Sequence, residues 1–586
     1  MYGFHGKVLR VDLTNRSTKE EAIPEDVQEK YLGGKGLGSY LLLKHLQPGV
    51  DALSPDNKIV FSTGPVADTV VPAASRFGVY AKSPLTGFFG ESYSGGHVAP
   101  VMKRTGYDAF MIEGASDEPV YLHISDMGVE FADASDLWGT ETYATEDALL
   151  ERVGVQGAQA IVIGPAGENE VLFACIKNNY WRSAGRTGMG AVMGSKKLKG
   201  IVFSGSTSTP LADEGMLQSY VTDMVKTYGN TERTRTMQRE GTPYMVGVSN
   251  AASAFPTRYW AEGSYDRWEG ISSDAMHEKM EVKPRACHRC FMACGKLSKV
   301  KSGRHEGLVL EGPEYETLYA LGGICCVDQI EEVAYLNDLC DRLGLDTITG
   351  GNTVAFGIEA AKRGKLTGQP DYGDVDAIAE SLRQIAYREG PGEVLAGGVR
   401  AAAEELGLQD IAIHVKGLEP AGYDPRTLRG MSLGYAVSGR GACHLRSSFY
   451  MAELNDEVPK EPVPKTREFI KFENRNTLED CLILCRFYQK FIGWEGMQTI
   501  VRATTGMDAS ESDLAAIASR VTTLVKLFNI REGWTRDDDA LPARMFNEPI
   551  GPDGDWVADE AELETMLDEY YRLHGWDQDG IPMNGE

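Results

Sequence analysis

The stretch GIVFSGSTSTP, Gly200 to Pro210, divides the chain into two textures. Its first half is the last of a series of short β-branched and aromatic runs closed by turn residues. The others are KVLRVDL from Lys7, KIVFSTG from Lys58, FGVYAKS from Phe77, AFMIEG from Ala109, PVYLHIS from Pro119 and AIVIGPAG from Ala160. Such runs read as strands, because branched and aromatic side chains pack well on a pleated surface. Beyond Pro210 apolar residues recur every three or four positions, as in IEEVAYLNDLCDRLGLD from Ile330, ESDLAAIASRVTTLVKLFNIREG from Glu511 and EAELETMLDEYYRLHG from Glu560. That spacing lays one helical face against a core. A strand-like run at 408–420, LQDIAIHVKGLEP, divides this helical part in two. The expected fold is α+β: a β-rich domain over 1–207, then two mostly helical domains over 208–413 and 414–586.

The composition is that of a globular protein: 586 residues, 42% hydrophobic and 25% charged. A formal net charge of -26 repels phosphate backbones and anionic membranes, which argues against nucleic acid and membrane surfaces as main partners. No uninterrupted apolar window of about 18 residues is present, and the start, MYGFHGKVLRVDLTNR, lacks a charged-then-apolar leader. The expectation is a cytoplasmic protein without membrane insertion, acting on small molecules or docking other proteins.

Ten cysteines are too few for a disulfide scaffold. Three crowd into PRACHRCFMACGK, Pro284 to Lys296, as Cys287, Cys290 and Cys294. Thiolates are soft ligands suited to iron–sulfur clusters or zinc. A zinc knuckle completed by His288 or His305 is one reading, although zinc sites usually pair two knuckles and no second Cys-x2-Cys follows nearby. Three local cysteines and a remote fourth suit a [4Fe-4S] cluster. The fourth is expected at Cys485, with Cys443 as competitor. Cys485 ends DCLILC, Asp480 to Cys485, which echoes DRLGLD, Asp341 to Asp346: an aspartate followed four and five residues on by leucine and a polar or metal-binding residue. In the first copy Gly344 fits the left-handed residue just past a helix end.

Two glycine-rich stretches begin at Ser75 (SRFGVYAKSPLTGFFGESYSGGHVAP) and Trp181 (WRSAGRTGMGAVMGSKKLKG). They combine backbone amides with Arg76, Arg182, Arg186, Lys196 and Lys197, a set suited to phosphate. Neither is a Walker loop or a strand-bound G-x-G-x-x-G.

With these motifs assembled, the chain resembles the aldehyde ferredoxin oxidoreductase family of tungsten–pterin enzymes. The resemblance runs nearly end to end, through YLGGKGLG, KSPLTGFFGESYSGG, GPAGENEV, GRTGMGAVMGSKKLK, EGPEYETLYALG, CDRLGLDTI, GYDPR, GRGACH and YYRLHGWDQDGIP. It implies a β-rich base domain carrying two pterin dithiolenes that chelate one tungsten, with molybdenum as the alternative metal. It also implies a [4Fe-4S] cluster beside one pterin and Mg2+ linking the pterin phosphates. By position it implies Cys287, Cys290, Cys294 and Cys485 as cluster ligands, Asp341, Leu345 and Asp346 as one pterin motif, and Asp480 and Leu484 as the other. Arg76, Tyr93, Gly95, Arg182, Ser183, Gly185 and Arg186 fall at the pterin phosphates and magnesium. Glu316 and His444 match the acid–base pair beside tungsten, and Tyr423 a tyrosine presented to substrate.

The implied reaction oxidises an aldehyde to a carboxylic acid and passes electrons through the cluster to ferredoxin or an iron–sulfur partner subunit. The alternatives are a reductase subunit on the same scaffold, as for aromatic acyl-CoA reduction, and a zinc-stabilised binding protein. Three departures stand out. Tyr93 occupies a common asparagine position, and Ile483 a usual glycine position. Tyr335 and Asp338 stand where some members carry a Glu-x-x-His pair that bridges two subunits through iron, so no bridging iron is expected and both homo- and hetero-oligomers stay open. Arg285 and Arg289 flank the cluster cysteines, where they suit docking of an acidic electron carrier or donation to cluster sulfur.

Overall fold

The computed structural model describes residues 1–583 and is α+β. Its first third holds two six-stranded sheets. The first contains β1 (Lys7–Asp12), β2 (Ser17–Ala22), β3 (Ile59–Ser62), β4 (Phe77–Lys82), β5 (Phe89–Ser94) and β6 (Ala109–Glu113), in the order β2-β1-β6-β3-β4-β5. The second contains β7 (Val120–Ser125), β8 (Gly128–Asp133), β9 (Gln159–Val162), β10 (Ile176–Asn178), β11 (Arg182–Ala184) and β12 (Leu198–Phe203), in the order β11-β10-β9-β12-β7-β8.

The wiring is the same twice. A hairpin, β1–β2 or β7–β8, lies beside a parallel partner, β6 or β12, and three antiparallel strands follow it outward. Alternation decides the faces. Leu9, Val11, Ile59, Phe61, Phe110 and Ile112 of the first sheet meet Leu122, Ile124, Ile161 and Ile201 of the second in one core. Their neighbours Val8, Val60, Ala109 and Met111 point the other way, onto the helix Gly34–His45.

Each sheet also carries one of the paired motifs. After β3 comes Gly64-Pro65 and after β9 Gly164-Pro165. The Leu482 carbonyl oxygen lies 2.5 Å from where a Cβ on Gly64 would stand, and the Leu343 carbonyl 2.6 Å from the equivalent point on Gly164. The Cys485 amide donates to the Ala73 carbonyl and the Asp346 amide to the Phe173 carbonyl. In both copies a helix runs in and stops: Ile330–Leu343 ends at Gly344 (φ 79°), and Pro462–Leu482 at Ile483 (φ 63°). Asp346 then caps Thr347–Lys362 by accepting from the Ile348 and Thr349 amides.

Two features beyond Phe203 depart from the reading by periodicity. A three-stranded antiparallel sheet, β13 (Met280–Arg285), β14 (Gly295–Val300) and β15 (Val309–Glu311), interrupts the helices, and the cysteine loop is its first hairpin connection. Its strands, MEVKPR, GKLSKV and VLE, are short and scatter single apolar residues among polar and charged ones, too sparse a pattern to stand out. The run at 408–420 is no strand: Gln409–Ile411 is a 3-10 turn, and Val415 pairs with Leu418 across a tight reversal. Ile411, Ile413, Val415 and Leu418 enter a cluster shared with Phe255, Tyr319 and Trp576, so the core runs continuously across residue 413. No helix among the described residues is long and apolar enough to cross a membrane.

Candidate active site

The edge strands β5 and β11 meet; beside them Ser94 Oγ donates to Asn178 Oδ1 of β10 at 2.6 Å, and the Arg186 amide, just past β11, to Ser92 Oγ at 3.2 Å. Over this junction the later two thirds of the chain close a cavity of about 630 Å³.

At one end are the four predicted cysteines. The Gly96 amide donates to Cys287 Sγ at 3.3 Å. Tyr488, one turn past Cys485, brings its hydroxyl 3.3 Å from Cys290 Sγ and accepts from the Phe291 amide at 3.1 Å. The remote cysteine is thereby tied to the hairpin. Burial pushes the Cys485 thiol up to about 11 and the Cys294 thiol well above its ordinary value, so thiolates persist here only against a compensating cation. Among the described residues no three His, Cys, Asp or Glu side chains stand close enough to hold a single metal ion. His305 lies away from the cysteines, stacked on Tyr335 and bonded to Glu332. Arg285 lies over the Trp181 ring at 4.5 Å and pairs with Glu311, and Arg289 donates to the Thr69 carbonyl. Neither arginine donates to a cysteine sulfur.

The β-rich wall carries Arg76, Tyr93, Gly95, Arg182, Ser183, Gly185 and Arg186, and the first motif adds Asp341, Leu345 and Asp346. Gly95 and Gly185 each follow directly on the edge strand of their sheet. Asp341 is paired with the buried Lys177, yet burial still pushes its carboxyl up to about 6. Arg186 pairs with Asp346 at 3.1 Å, and Arg182 with Glu311. The Tyr93 hydroxyl donates to Glu91 at 2.6 Å, while Arg76 and Arg446 lie over its ring.

Two groups of predicted residues stand elsewhere. Asp480 and Leu484 lie behind the wall: Asp480 is wedged between Arg446 (2.6 Å) and Arg486 (2.7 Å), and through Arg486 it still shapes the cavity. Lys196 and Lys197 correct the phosphate reading of the second glycine-rich stretch. Lys196 spends its ammonium on the carbonyls of Pro55, Asn57 and Gly114, and Lys197 on that of Asp117.

Glu316, Tyr423 and His444 come together on a third face. Glu316 sits in Tyr315–Thr317, which runs into a π-helical turn at Leu318–Gly323, a form that often marks functional sites. Gly422 clamps it: its amide donates to Glu316 Oε2 at 2.9 Å, and its carbonyl accepts from the Tyr315 hydroxyl. Glu316 Oε1 lies 3.5 Å from His444 Nε2. Burial pushes the Glu316 carboxyl up to about 8, against the Gly422 amide and Arg186. Burial, then Arg440, Arg186 and Arg446, hold the His444 imidazole well below its ordinary value. At neutral pH the two are a carboxylic acid and a neutral imidazole, although their spacing alone reads as an ion pair. Tyr423 stacks on Tyr450 at 3.8 Å, its ring centroid 5.5 Å from that of His444. Cys443 belongs to this face and not to the cysteine end. Burial alone would raise its thiol, but Arg440, with Nη2 2.8 Å from the sulfur, and Arg446 outweigh it and hold it at about 7.

The donor set suits a large phosphorylated ligand beside a soft-ligand cluster. Trp181 Nε1 and Arg440 Nε are buried on the wall without partners. Arg76 has no ion pair among the described residues, its guanidinium lying 5.4 Å over the Tyr93 ring. Models of the N-terminal domain of aldehyde ferredoxin oxidoreductase and of its domains 2 and 3 match residues 8–205 and 219–586.

The chain belongs to the aldehyde ferredoxin oxidoreductase family.

It is an oxidoreductase, and membership implies a tungsten–pterin cofactor. The chain is 36% identical to the tungsten-containing aldehyde ferredoxin oxidoreductase of Pyrococcus furiosus, over 99% of this chain and 97% of that protein. It is 30% identical to an aliphatic sulfonate oxidoreductase, WOR-like subunit, of the same organism, over 99% and 96%. A solved structure, the active-site complex BamBC of benzoyl coenzyme A reductase with 1,5-dienoyl-CoA, superposes with TM-score 0.86 and 25% identity, over 99% of this chain and 96% of that one.

The sequence reading missed Lys177, Glu311, Arg440 and Arg446. Lys177 opens the KNN triplet before the second glycine-rich stretch, and Arg440 and Arg446 flank GACH. For these three a cation next to a recognised motif is the signal that was available, and Glu311 opens the quoted EGPEYETLYALG.

Proposed function

We propose that this chain oxidises an aldehyde to the carboxylic acid and delivers the electrons to ferredoxin or a ferredoxin-like iron–sulfur subunit. Tungsten on two pterins, with Mg2+ beside them, would supply two-electron redox chemistry, and Cys287, Cys290, Cys294 and Cys485 would hold a [4Fe-4S] cluster supplying a one-electron exit. The observation that carries this reading is the Glu316–His444 pair in one cavity with the four cysteines.

Conversion of RCHO and H2O to RCOOH releases two electrons and two protons, so the protein's task is proton management and orientation. Glu316, as carboxylate, takes a proton from the attacking water or the aldehyde hydrate. His444, kept neutral by burial, donates an N–H toward the aldehyde oxygen, where negative charge develops. Tyr423 presents its ring and hydroxyl to the substrate beside them. The first motif, Asp341–Leu345–Asp346, would hold one pterin directly, and the second would act on the other through Arg486, which Asp480 fixes from behind the wall. Arg76, Tyr93, Gly95, Arg182, Ser183, Gly185 and Arg186 hold the phosphate side, where Lys177 and Glu311 fix Asp341 and Arg182.

The likeness to the BamBC chain favours a second reading, reduction of an aromatic acyl-CoA, with electrons running inward. The higher identity to aldehyde enzymes, 36% against 25%, weighs for oxidation. Anaerobically purified protein should contain tungsten and iron and reduce a viologen dye with aldehydes. Glu316→Gln should lower turnover by roughly a hundred- to ten-thousand-fold with both metal contents unchanged. Wild-type turnover in that variant would remove Glu316 from the mechanism. Reduction of a ring thioester without aldehyde oxidation would overturn the reaction assignment.

A further inference from the structure

Tyr488 follows Cys485 by three residues, its amide bonded to the Cys485 carbonyl, and its hydroxyl crosses to the loop that carries the other cysteines. The Phe291 amide donates to the phenol oxygen at 3.1 Å and the Met292 amide at 3.3 Å, while Cys290 Sγ lies 3.3 Å away. Phe291, edge-on at 5.0 Å, and Phe491 at 6.0 Å hold the ring, and the residue is 1% exposed.

The direction of the bond to sulfur follows by counting. A phenol oxygen has two lone pairs and one proton. Two backbone amides occupy the lone pairs, so the proton is left for Cys290 Sγ. A thiol there would find no free acceptor site on the oxygen, and a metal-bound thiolate has no proton to give. The sulfur therefore receives an O–H from a buried, tightly packed donor. The two arginines beside the loop are spent elsewhere, Arg285 on Trp181 and Glu311 and Arg289 on the Thr69 carbonyl.

We infer that Tyr488 sets the reduction potential of the cluster proposed on Cys287, Cys290, Cys294 and Cys485, by donating this hydrogen bond to the Cys290 sulfur. The inference rests on that cluster reading. A [4Fe-4S] cluster that accepts one electron gains one negative charge, part of it on its ligand sulfurs. The O–H···S bond strengthens with that charge, so it favours the reduced form and raises the potential, with no proton transferred. Tyr488 does not line the cavity, so it acts through the sulfur and not on the substrate. A higher potential makes the cluster a better acceptor of electrons from the substrate site and a weaker donor to ferredoxin.

Redox titration of the holoenzyme at pH 7, read as the electron paramagnetic resonance signal of the reduced cluster, tests this. Tyr488→Phe keeps the ring and removes the donor. Its potential should fall by about 59 mV, a tenfold change in the one-electron equilibrium, with iron content at the wild-type level. Phe491→Leu loosens the ring packing but leaves the hydroxyl, and should titrate with the wild type. 3-Fluorotyrosine at position 488, a more acidic phenol and a stronger donor in the same packing, should raise the potential above wild type. If Tyr488→Phe loses its iron, the fluorotyrosine variant carries the test. An unchanged potential in Tyr488→Phe overturns the inference, as does a fluorotyrosine variant that titrates at or below wild type. An equal fall in Phe491→Leu also overturns it, by assigning the effect to packing. A wild type that gives no cluster signal on reduction overturns the cluster reading itself, and the inference with it.

Discussion

Glu316 owes its chemistry to what surrounds it. An exposed glutamate is ionised at neutral pH and a poor base, whereas burial against Tyr315, Gly422 and His444 pushes this carboxyl up to about 8. As a base it acts only when deprotonated, so dye-linked aldehyde oxidation should rise with pH through about 8. Stability runs the opposite way. A carboxyl whose folded value lies above its ordinary 4.5 holds its proton more tightly in the folded state, so its contribution is full below 4.5 and is lost as pH climbs through about 8. A rate that falls across that window would make Glu316 the acid of the reaction, not the base. The residue type and the PEYE motif nominated Glu316. Its raised pKa was invisible in the sequence, because the burial that raises it, outweighing the opposing Gly422 amide, is made by segments such as that of His444, over a hundred residues away.

Among the elements, the two motif helices are the most informative. Period and cap residues located Ile330–Leu343 and its glycine stop, and Asp346 as cap of the next helix follows from the same local rules. The second copy breaks the rule at Ile483, a β-branched residue held at φ 63° and 1% exposed. Such a backbone costs about 1–3 kcal/mol. Replacing Ile483 by glycine relieves that strain but forfeits a buried side chain worth about 2–5 kcal/mol and adds about 0.5–1 kcal/mol of unfolded-state freedom. Packing wins, so Ile483→Gly should destabilise the protein by about 1–3 kcal/mol, read as a lower thermal midpoint. A higher midpoint would mean that strain dominates. The short sheet β13–β15 escaped periodicity because its strands are brief and their apolar residues few, yet it carries the cysteine loop.

At the scale of the whole molecule, charge and duplication set the frame. A chain of net charge -26 exposes Arg289, with the half-buried Arg285 nearby, beside the cysteine loop, a local positive field that an acidic electron carrier would meet. The double variant Arg285→Glu, Arg289→Glu should slow ferredoxin reduction roughly tenfold at low salt and flatten its salt dependence, while dye-linked aldehyde oxidation persists. Unchanged kinetics with ferredoxin would move the docking face elsewhere. The two sheets repeat one topology within the first two hundred residues, and each meets one motif at its Gly-Pro corner, so the symmetry between Asp341–Asp346 and Asp480–Cys485 goes with that repeated topology. By itself the sequence determined the α+β order and singled out the cysteine triplet and the paired motifs, because ligand chemistry, helix caps and periodicity are properties of a few neighbouring residues; the Glu316–His444 pair was nominated by the family resemblance. Only the tertiary structure decided that Asp480 supports the wall from behind, that Lys196 is structural, that Cys443 joins His444, and that the Tyr488 hydroxyl reaches Cys290. Each of those depends on which distant segments exclude water and supply a partner, and that is a property of the packed chain.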